Sequence, residues 1–282
     1  LVVLTALALP AHAADTVRIA VASNFKSTLE DLAAQYNQQH PTTFKITSAA
    51  TGLLYAQIRA GAPVDIFFSA DAERPEQLEV DGAIVDGTRF TYAIGRLVLW
   101  TPRRPISGDL KQTLTASGLR TIALANPKTA PYGAAAEQTL RTLGLTGRFK
   151  TVQGDNIGQT FQFAATGNAD AAFISLAQLR DYERANRRSL NTDIIIVDAE
   201  LYSPIAQQAV LLSGAKNNAA ARAFLEYVKS EAGQRLITAA GYKSLTWLPP
   251  GCHGCEKPKD PARPPLSPST ERGQGEGNLS TR

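Results

Sequence analysis

Short apolar or alternating segments and segments with a helical period follow one another along most of the chain, from Asp15 to Leu248. Period 2 is typical of strands and period 3.6 of amphipathic helices. Their repeated alternation predicts an α/β fold in which helices flank mixed, mostly parallel sheets. Eight segments have the pattern of strands, namely VRIAVA, FKITSA, VDIFFSA, RLVLWT, TIALA, ADAAFIS, DIIIV and AVLLS.

This number of strands exceeds what one doubly wound domain usually holds, so we expect two smaller α/β lobes. No Ser/Gly/Pro-rich linker divides the middle of the chain, which predicts crossings inside the fold, at YAIGRLVLW and LYSPIAQQAVLL. With such a two-segment hinge, lobe I comprises residues 15–95 plus 206–248, and lobe II comprises residues 96–205. A hinged cleft is then expected between the lobes.

The two ends of the chain differ from its middle in composition. Residues 1–14 are apolar and contain Ala-His-Ala, which has the small residues that a signal peptidase needs. We expect the remnant of a signal peptide and an exported, periplasmic protein; the alternative is a buried helix, which Pro10 would interrupt. Residues 249–282 are rich in Pro, Gly and charge, which predicts a disordered tail. The Cys-His-Gly-Cys segment of this tail offers too few ligands for a closed metal site.

Composition and motifs exclude several classes of function. The formal net charge is only +4 and the basic residues are mixed with acids, so no nucleic-acid partner is expected. The three histidines are His12, His40 and His253, in the apolar N-terminal segment, in a turn beside a proline and in the tail. None is suited to act as a general base, which excludes His-dependent nucleophilic triads and His-rich metal sites. Nucleotide-binding glycine motifs are missing as well, whereas catalytic pairs of carboxylates stay possible, with no means of choosing one pair among 25 acids.

Small polar residues lie at two joins between a predicted strand and a predicted helix. Ser23 and Asn24 follow VRIAVA, and Thr51 and Gly52 follow FKITSAA. The first N–H groups of a helix lack internal partners and carry the positive end of its dipole, so they can bind an anion without a charged side chain. Thr51 adds a hydroxyl donor, and Gly52 permits close approach of a ligand. The alternative interpretation is that these are ordinary N-cap residues.

Two later segments predict further helix starts in the second lobe. Tyr132 lies at the start of an Ala-rich helical pattern within ANPKTAPYGAAAEQTL, and its phenol can donate a hydrogen bond. Ile157 lies in the first turn of the helical pattern that follows GDN. If the chain crosses between the lobes near residues 94–98, both positions face the first two joins across the cleft. Four helix starts would then converge on one anion.

The segments ASNF, GLLYAQIRAGAPVDIFFSAD, ANPKTAPYG and GDN resemble those of the periplasmic molybdate-binding proteins of ABC importers. The resemblance covers about residues 15–248. It implies a type II periplasmic-binding-protein fold and a monomeric extracytoplasmic receptor that is not an enzyme and needs no cofactor. Such a receptor binds molybdate or tungstate as its ligand and delivers it to an ABC permease in the inner membrane.

The resemblance also implies a set of binding residues. Small hydroxyl or amide side chains and backbone N–H groups hold the oxyanion in that family, with no direct bond from the protein to the metal. The residues implied here are Ser23, Asn24, Thr51, Tyr132 and the backbone of Ile157, with Gly52 and Ser175 as further candidates.

A site made only of donors favours a fully ionised dianion, such as sulfate, molybdate or tungstate. Phosphate carries a proton near neutral pH and needs an acceptor, for which Asp155 is the only nearby carboxylate in the sequence. The preference for molybdate or tungstate over sulfate therefore comes from the resemblance. Three alternatives stay open: a receptor for sulfate or another tetrahedral oxyanion, an enzyme acting on phosphate or sulfate esters, and a sensing or adhesive module tethered by the tail.

Overall fold

The computed structural model describes residues 15–243, except residues 105, 107, 116, 117, 188 and 190–192. The predicted signal remnant and the predicted C-terminal tail lie outside the described residues. The described chain forms two mixed five-stranded sheets with helices packed around them. The predicted α/β class is therefore confirmed.

The first sheet and its helices are called lobe I. Its strands are β1 (Asp15–Ala22), β2 (Thr42–Ala49), β3 (Ile66–Phe68), β4 (Phe90–Gly95) and β10 (Ile205–Leu211). Their order is β2-β1-β3-β10-β4, and β10 is antiparallel to both of its neighbours, whereas β1 is parallel to β2 and β3. The helices are α1 (Lys26–Tyr36), α2 (Thr51–Arg59), α3 (Glu73–Val80), α8 (Ala219–Lys229) and α9 (Glu231–Ala239).

The second sheet and its helices are called lobe II. Its strands are β5 (Leu97–Trp100), β6 (Thr121–Ala125), β7 (Lys150–Gly154), β8 (Ala171–Ser175) and β9 (Ile194–Ile196). Their order is β7-β6-β8-β5-β9; β6 is parallel to β7 and β8, and β5 is antiparallel to β8 and β9. The helices are α4 (Leu110–Thr115), α5 (Pro131–Thr142), α6 (Ile157–Thr166) and α7 (Leu176–Asn186).

Each of the eight predicted strand segments contains a strand, and the structure adds β4 and β7. The sequence pattern did not predict β7, because β7 is an edge strand whose residues are mostly exposed and show no apolar alternation. β4 leads directly into the crossing from lobe I to lobe II, since Gly95 ends the first sheet and Leu97 begins the second. The return crossing ends at Ile205, where β10 begins beside β4.

A cluster of aromatic side chains fixes the start of α1 in lobe I. Phe25 is fully buried, and its ring centroid lies 4.5 Å from that of Tyr92, 5.6 Å from that of Phe68 and 5.5 Å from that of Tyr242. Burying a side chain of this size stabilises the fold by about 1.5 to 3 kcal/mol. The turn that carries Ser23 and Asn24 is thus anchored to the core.

Within the described part of the chain, no helix is long and apolar enough to cross a membrane.

Candidate functional site

One small cavity lies between the two lobes at the N-termini of α1, α2, α5 and α6. Its volume is about 10 Å³, and it is lined by Ala22, Ser23, Asn24, Ala49, Ala50, Thr51, Ala70, Ala130, Pro131, Tyr132 and Ile157. Five of the predicted binding residues therefore meet around a single cavity, whereas Gly52 and Ser175 do not line it. By the same measure a single water molecule needs about 10 to 15 Å³, so an oxyanion requires the cavity to widen.

Three of the helices that meet the cavity begin without a side-chain cap. The N-cap residues of α1, α2 and α5 are Phe25, Ala50 and Ala130, and none of their side chains accepts a hydrogen bond from the helix. Thr51 is the first residue inside α2 rather than its N-cap. The ordinary-cap interpretation therefore fails for these three joins.

Backbone donors converge on the cavity from both lobes. The N–H groups of Asn24, Thr51, Tyr132 and Ile157 meet no hydrogen-bond acceptor in the part of the chain that the structure describes. Pro131 occupies the first position of α5 and has no N–H, so Tyr132 provides the first backbone donor of that helix. Thr51, Tyr132 and Ile157 lie in the first turns of their helices, and Asn24 precedes the N-cap of α1. These donors, near the positive ends of helix dipoles, give the cavity an electrostatic preference for anions.

Thr51 adds a hydroxyl donor. Its side chain is buried, and its Oγ1 accepts a hydrogen bond of 3.1 Å from the N–H of Ala70. Because the oxygen already accepts from the protein, its proton is free to donate towards the cavity. Thr51 therefore presents both a backbone and a side-chain donor.

Asn24 contributes differently from what the resemblance implied. Its side-chain Nδ2 donates to Gln207 Oε1 at 2.8 Å and to the Tyr242 hydroxyl at 3.1 Å. Both side-chain N–H bonds are thus directed into the protein. The donor that Asn24 can present to the cavity is its backbone N–H, and its amide group connects the cavity wall to β10.

Tyr132 is a buried, neutral donor. Its side chain is 1% exposed, and burial raises the pKa of its phenol well above the ordinary value. The phenol therefore stays protonated and adds no negative charge to the cavity. Its oxygen accepts a hydrogen bond of 3.1 Å from Gln207 Nε2, which leaves its proton to donate.

No charged side chain lines the cavity among the described residues. Asp71, the nearest acid along the chain to the lining residue Ala70, accepts a hydrogen bond of 2.9 Å from Ser69 Oγ and forms an ion pair with Arg74. Asp155, which the sequence offered as an acceptor for a protonated ion, is exposed and outside the lining. The described wall is therefore a set of neutral donors without a carboxylate acceptor.

The two further candidates have structural roles elsewhere. Ser175 is the N-cap of α7: its Oγ accepts from Gln178 N at 3.2 Å and donates to Gln178 Oε1 at 3.1 Å. Gly52 N donates to Thr129 O at 2.9 Å across the two lobes. A Cβ at Gly52 would lie 3.1 Å from Thr129 Cα, so glycine permits this close approach. Neither residue presents a group to the cavity.

Sequence reasoning missed Gln207, which connects the two walls of the cavity. It is fully buried on β10 and bonds both Asn24 and Tyr132. A Cβ at Gly95 of the adjacent strand would lie 2.8 Å from Gln207 Nε2 and would also collide with the Tyr132 hydroxyl, so this position requires glycine. The available signal was a pair of glutamines inside an apolar strand segment, IAQQAVL.

Comparison with known proteins gives consistent matches over the described chain. The family of bacterial extracellular solute-binding proteins matches residues 17–243. The molybdate-binding protein ModA of Azotobacter vinelandii is 41% identical over 239 residues, which cover 84% of this chain and 92% of that protein. The corresponding protein of Rhodobacter capsulatus is 38% identical, over 84% of this chain and 91% of the relative. The solved structure of the Azotobacter vinelandii periplasmic molybdate-binding protein superposes with a TM-score of 0.75 at 37% identity and covers 80% of this chain and 98% of that one.

Proposed function

The chain belongs to the bacterial extracellular solute-binding proteins, and we propose that it is the molybdate receptor of an ABC importer. Tungstate, which has the same tetrahedral shape and charge, is the second ligand that we propose. The ligand is cargo and not a cofactor. We also propose that the protein works in the periplasm as a monomer and delivers the ion to a permease in the inner membrane.

One observation carries this proposal: neutral donors from four helix starts surround one cavity, with no charged side chain in its described lining. We propose that Ser23, Asn24, Thr51, Tyr132 and Ile157 replace the hydration shell of the ion. A buried dianion is stable only if its oxygens are well hydrogen-bonded, and hydrogen bonds to a charged partner contribute about 1.5 to 3 kcal/mol each. Among the described residues no histidine lines the cavity, so the described lining gives no support to ester hydrolysis.

Contacts between the lobes support closure around the ion. Besides the bond from Gly52 to Thr129, Arg74 Nη2 donates to Lys128 O at 3.1 Å. Arg184 of lobe II lies 2.9 Å from Asp31 of lobe I, as an exposed ion pair that is expected to contribute little energy. We propose that the lobes, divided at residues 95–96 and 205–206, separate at the hinge to admit the ion and close through these contacts.

The proposal is tested by thermal unfolding of the full chain with molybdate, tungstate, sulfate and phosphate. A ligand that binds only the folded state adds about 2.7 kcal/mol of stability at a concentration of 100 times its Kd. We expect molybdate and tungstate to raise the Tm and phosphate to leave it unchanged. A rise with sulfate alone would reassign the ligand, and no rise with any of the four ions would overturn the receptor function.

A further inference from the structure

We propose that Gln207 is a positioning residue that turns the Tyr132 hydroxyl proton towards the cavity, and that it thereby selects oxyanions without a bound proton. The inference rests on the proposed oxyanion-binding function. Gln207 does not line the cavity, so it acts through Tyr132 and Asn24.

The direction of each hydrogen bond follows from a fixed starting point, the backbone carbonyl of Asn24. The Tyr242 hydroxyl donates its only proton to this carbonyl at 2.8 Å. Its oxygen must therefore accept from the Asn24 side chain, which fixes that amide with Nδ2 towards Tyr242. The second Nδ2 proton then points to Gln207 Oε1, at 2.8 Å.

The orientation of Asn24 fixes the orientation of Gln207. A reversed Gln207 amide would bring two donor groups, Gln207 Nε2 and Asn24 Nδ2, against each other. The Tyr92 hydroxyl is compatible with the observed orientation, because it lies 3.0 Å from Gln207 Oε1 and 3.0 Å from Ser69 O and can donate to either. Gln207 Nε2 therefore points at Tyr132, at 3.1 Å.

The last hydrogen bond, from Gln207 to Tyr132, connects this chain of bonds to the cavity. Since the Tyr132 oxygen accepts from Gln207, its own proton must be directed elsewhere, and Tyr132 is among the residues that line the cavity. The three side chains of this hydrogen-bond chain are buried, with Asn24 at 2%, Gln207 at 0% and Tyr132 at 1% exposure, so water does not compete for these bonds. A ligand oxygen that carries a proton would meet another donor here, which disfavours phosphate relative to molybdate.

The substitution Gln207→Glu tests this direction of donation. The new carboxylate has the same shape but only accepts, so Tyr132 would donate to it and present a lone pair to the cavity. We expect molybdate affinity to fall by about 100-fold, and we expect the ratio of molybdate to phosphate affinity, from titration calorimetry, to fall by more than about 10-fold.

The pH dependence of molybdate affinity distinguishes this positioning role from a general disruption of the binding site. Burial raises the pKa of a carboxyl group, and in its protonated form the new side chain can again donate to Tyr132. Molybdate affinity of Gln207→Glu should therefore be highest below that pKa and decrease as the pH rises through it, over about pH 6 to 9. The wild-type affinity should be flat over the same range.

Gln208→Glu is the matched control. Gln208 is the next residue on β10 and equally buried, but its amide bonds Arg89 at 3.0 Å and Thr91 at 3.3 Å, away from the cavity. We expect this variant to keep the wild-type affinity ratio and a flat pH profile. If Gln207→Glu does not fold, Gln207→Leu keeps the test, since it removes the donor to Tyr132 without adding charge and should also lower the ratio.

The outcomes separate the two proposals. If the wild type fails to bind molybdate, the proposed function is overturned. If the wild type binds molybdate and Gln207→Glu keeps its affinity ratio, or loses all oxyanions equally at every pH, then the positioning role of Gln207 is overturned and the receptor function stands.

Discussion

The helices that begin at the cavity and the helices that begin elsewhere satisfy their first turns in different ways. α7, α8 and α9 each have a polar N-cap side chain that accepts from the helix, whereas α1, α2 and α5 have none. The capping side chains are Ser175, Asn218 and Ser230, and the uncapped N-cap residues are Phe25, Ala50 and Ala130. A side-chain cap stabilises a protein by about 0.5 to 2 kcal/mol. The helices α1, α2 and α5 therefore lack this stabilisation. An anion in the cavity can accept hydrogen bonds at their N-termini in place of a capping side chain.

Two helices refine this comparison. α6 is capped by Asn156, which accepts from Gln159 N at 3.0 Å, yet its first N–H, that of Ile157, still faces the cavity. α3 also has no side-chain cap on its N-cap residue, but it carries two acidic residues in its first turn, and Arg74 N donates to Asp71 Oδ1 at 3.2 Å. The N-terminus of α3 thus has carboxylate side chains of the protein beside it, whereas α1, α2 and α5 have no acidic residue in their first turns.

The largest effect is expected from capping an open helix with the protein's own carboxylate. Ala50→Asp places an acceptor at the N-cap of α2 inside the cavity lining. Two unit charges 4 Å apart repel by about 4 kcal/mol at an effective dielectric constant of 20, so we expect molybdate affinity to fall by more than about 1,000-fold. Titration calorimetry measures this loss, while the Tm without ligand should stay close to that of the wild type.

The control for this variant is Ser230→Asp, at the N-cap of α9, which exchanges one good cap for another and lies outside the cavity lining. It should bind molybdate like the wild type. If Ala50→Asp kept its affinity within about 10-fold of the wild type, then the start of α2 would not be part of the binding site, and the comparison between open and capped helices would lose its functional meaning.

A smaller effect is expected when a single side-chain donor is removed from the wall. Thr51→Ala and Tyr132→Phe each take one hydroxyl from a buried charged ligand and should weaken binding by about 1.5 to 3 kcal/mol. Thr139→Ala is the matched control, because Thr139 is equally buried in a helix but donates to Ala135 O at 2.8 Å within α5. That variant should lose stability and keep its affinity, and equal affinities in all three variants would rule out the assigned wall.

The sequence identified the strand-to-helix joins because their signal is local. Small polar residues lie at the starts of both α2 and α7, however, and the pattern could not tell which of them cap a helix. Thr51 is the first residue within α2, whereas Ser175 lies one position before α7. A shift of one residue thus separates a cavity donor from a cap, and helix boundaries are the least certain part of a sequence-based prediction.

The role of Gln207 was hidden for a different reason. Its partner Asn24 lies 183 residues away, and the contact exists only because β10 returns from lobe II to the first sheet, between β3 and β4. The sequence predicted a crossing segment there but contained no information on its register against β4, which is shifted between Gln207 and Gln208. This irregularity is compatible with the two adjacent glutamines having different partners, one at the cavity wall and one at Arg89.

The smallest effect on binding is expected at Ser175, whose substitution separates stability from affinity. Ser175 forms a capping box with Gln178, and both the hydroxyl and the amide partner are committed to the start of α7. Ser175→Ala should therefore lower the free energy of unfolding by about 1 kcal/mol, measured by urea denaturation without ligand. The Kd for molybdate should be unchanged, because the side chain presents no donor to the cavity. A loss of affinity that exceeds the loss of stability would instead make Ser175 a ligand and would show that a capped helix can also serve the site.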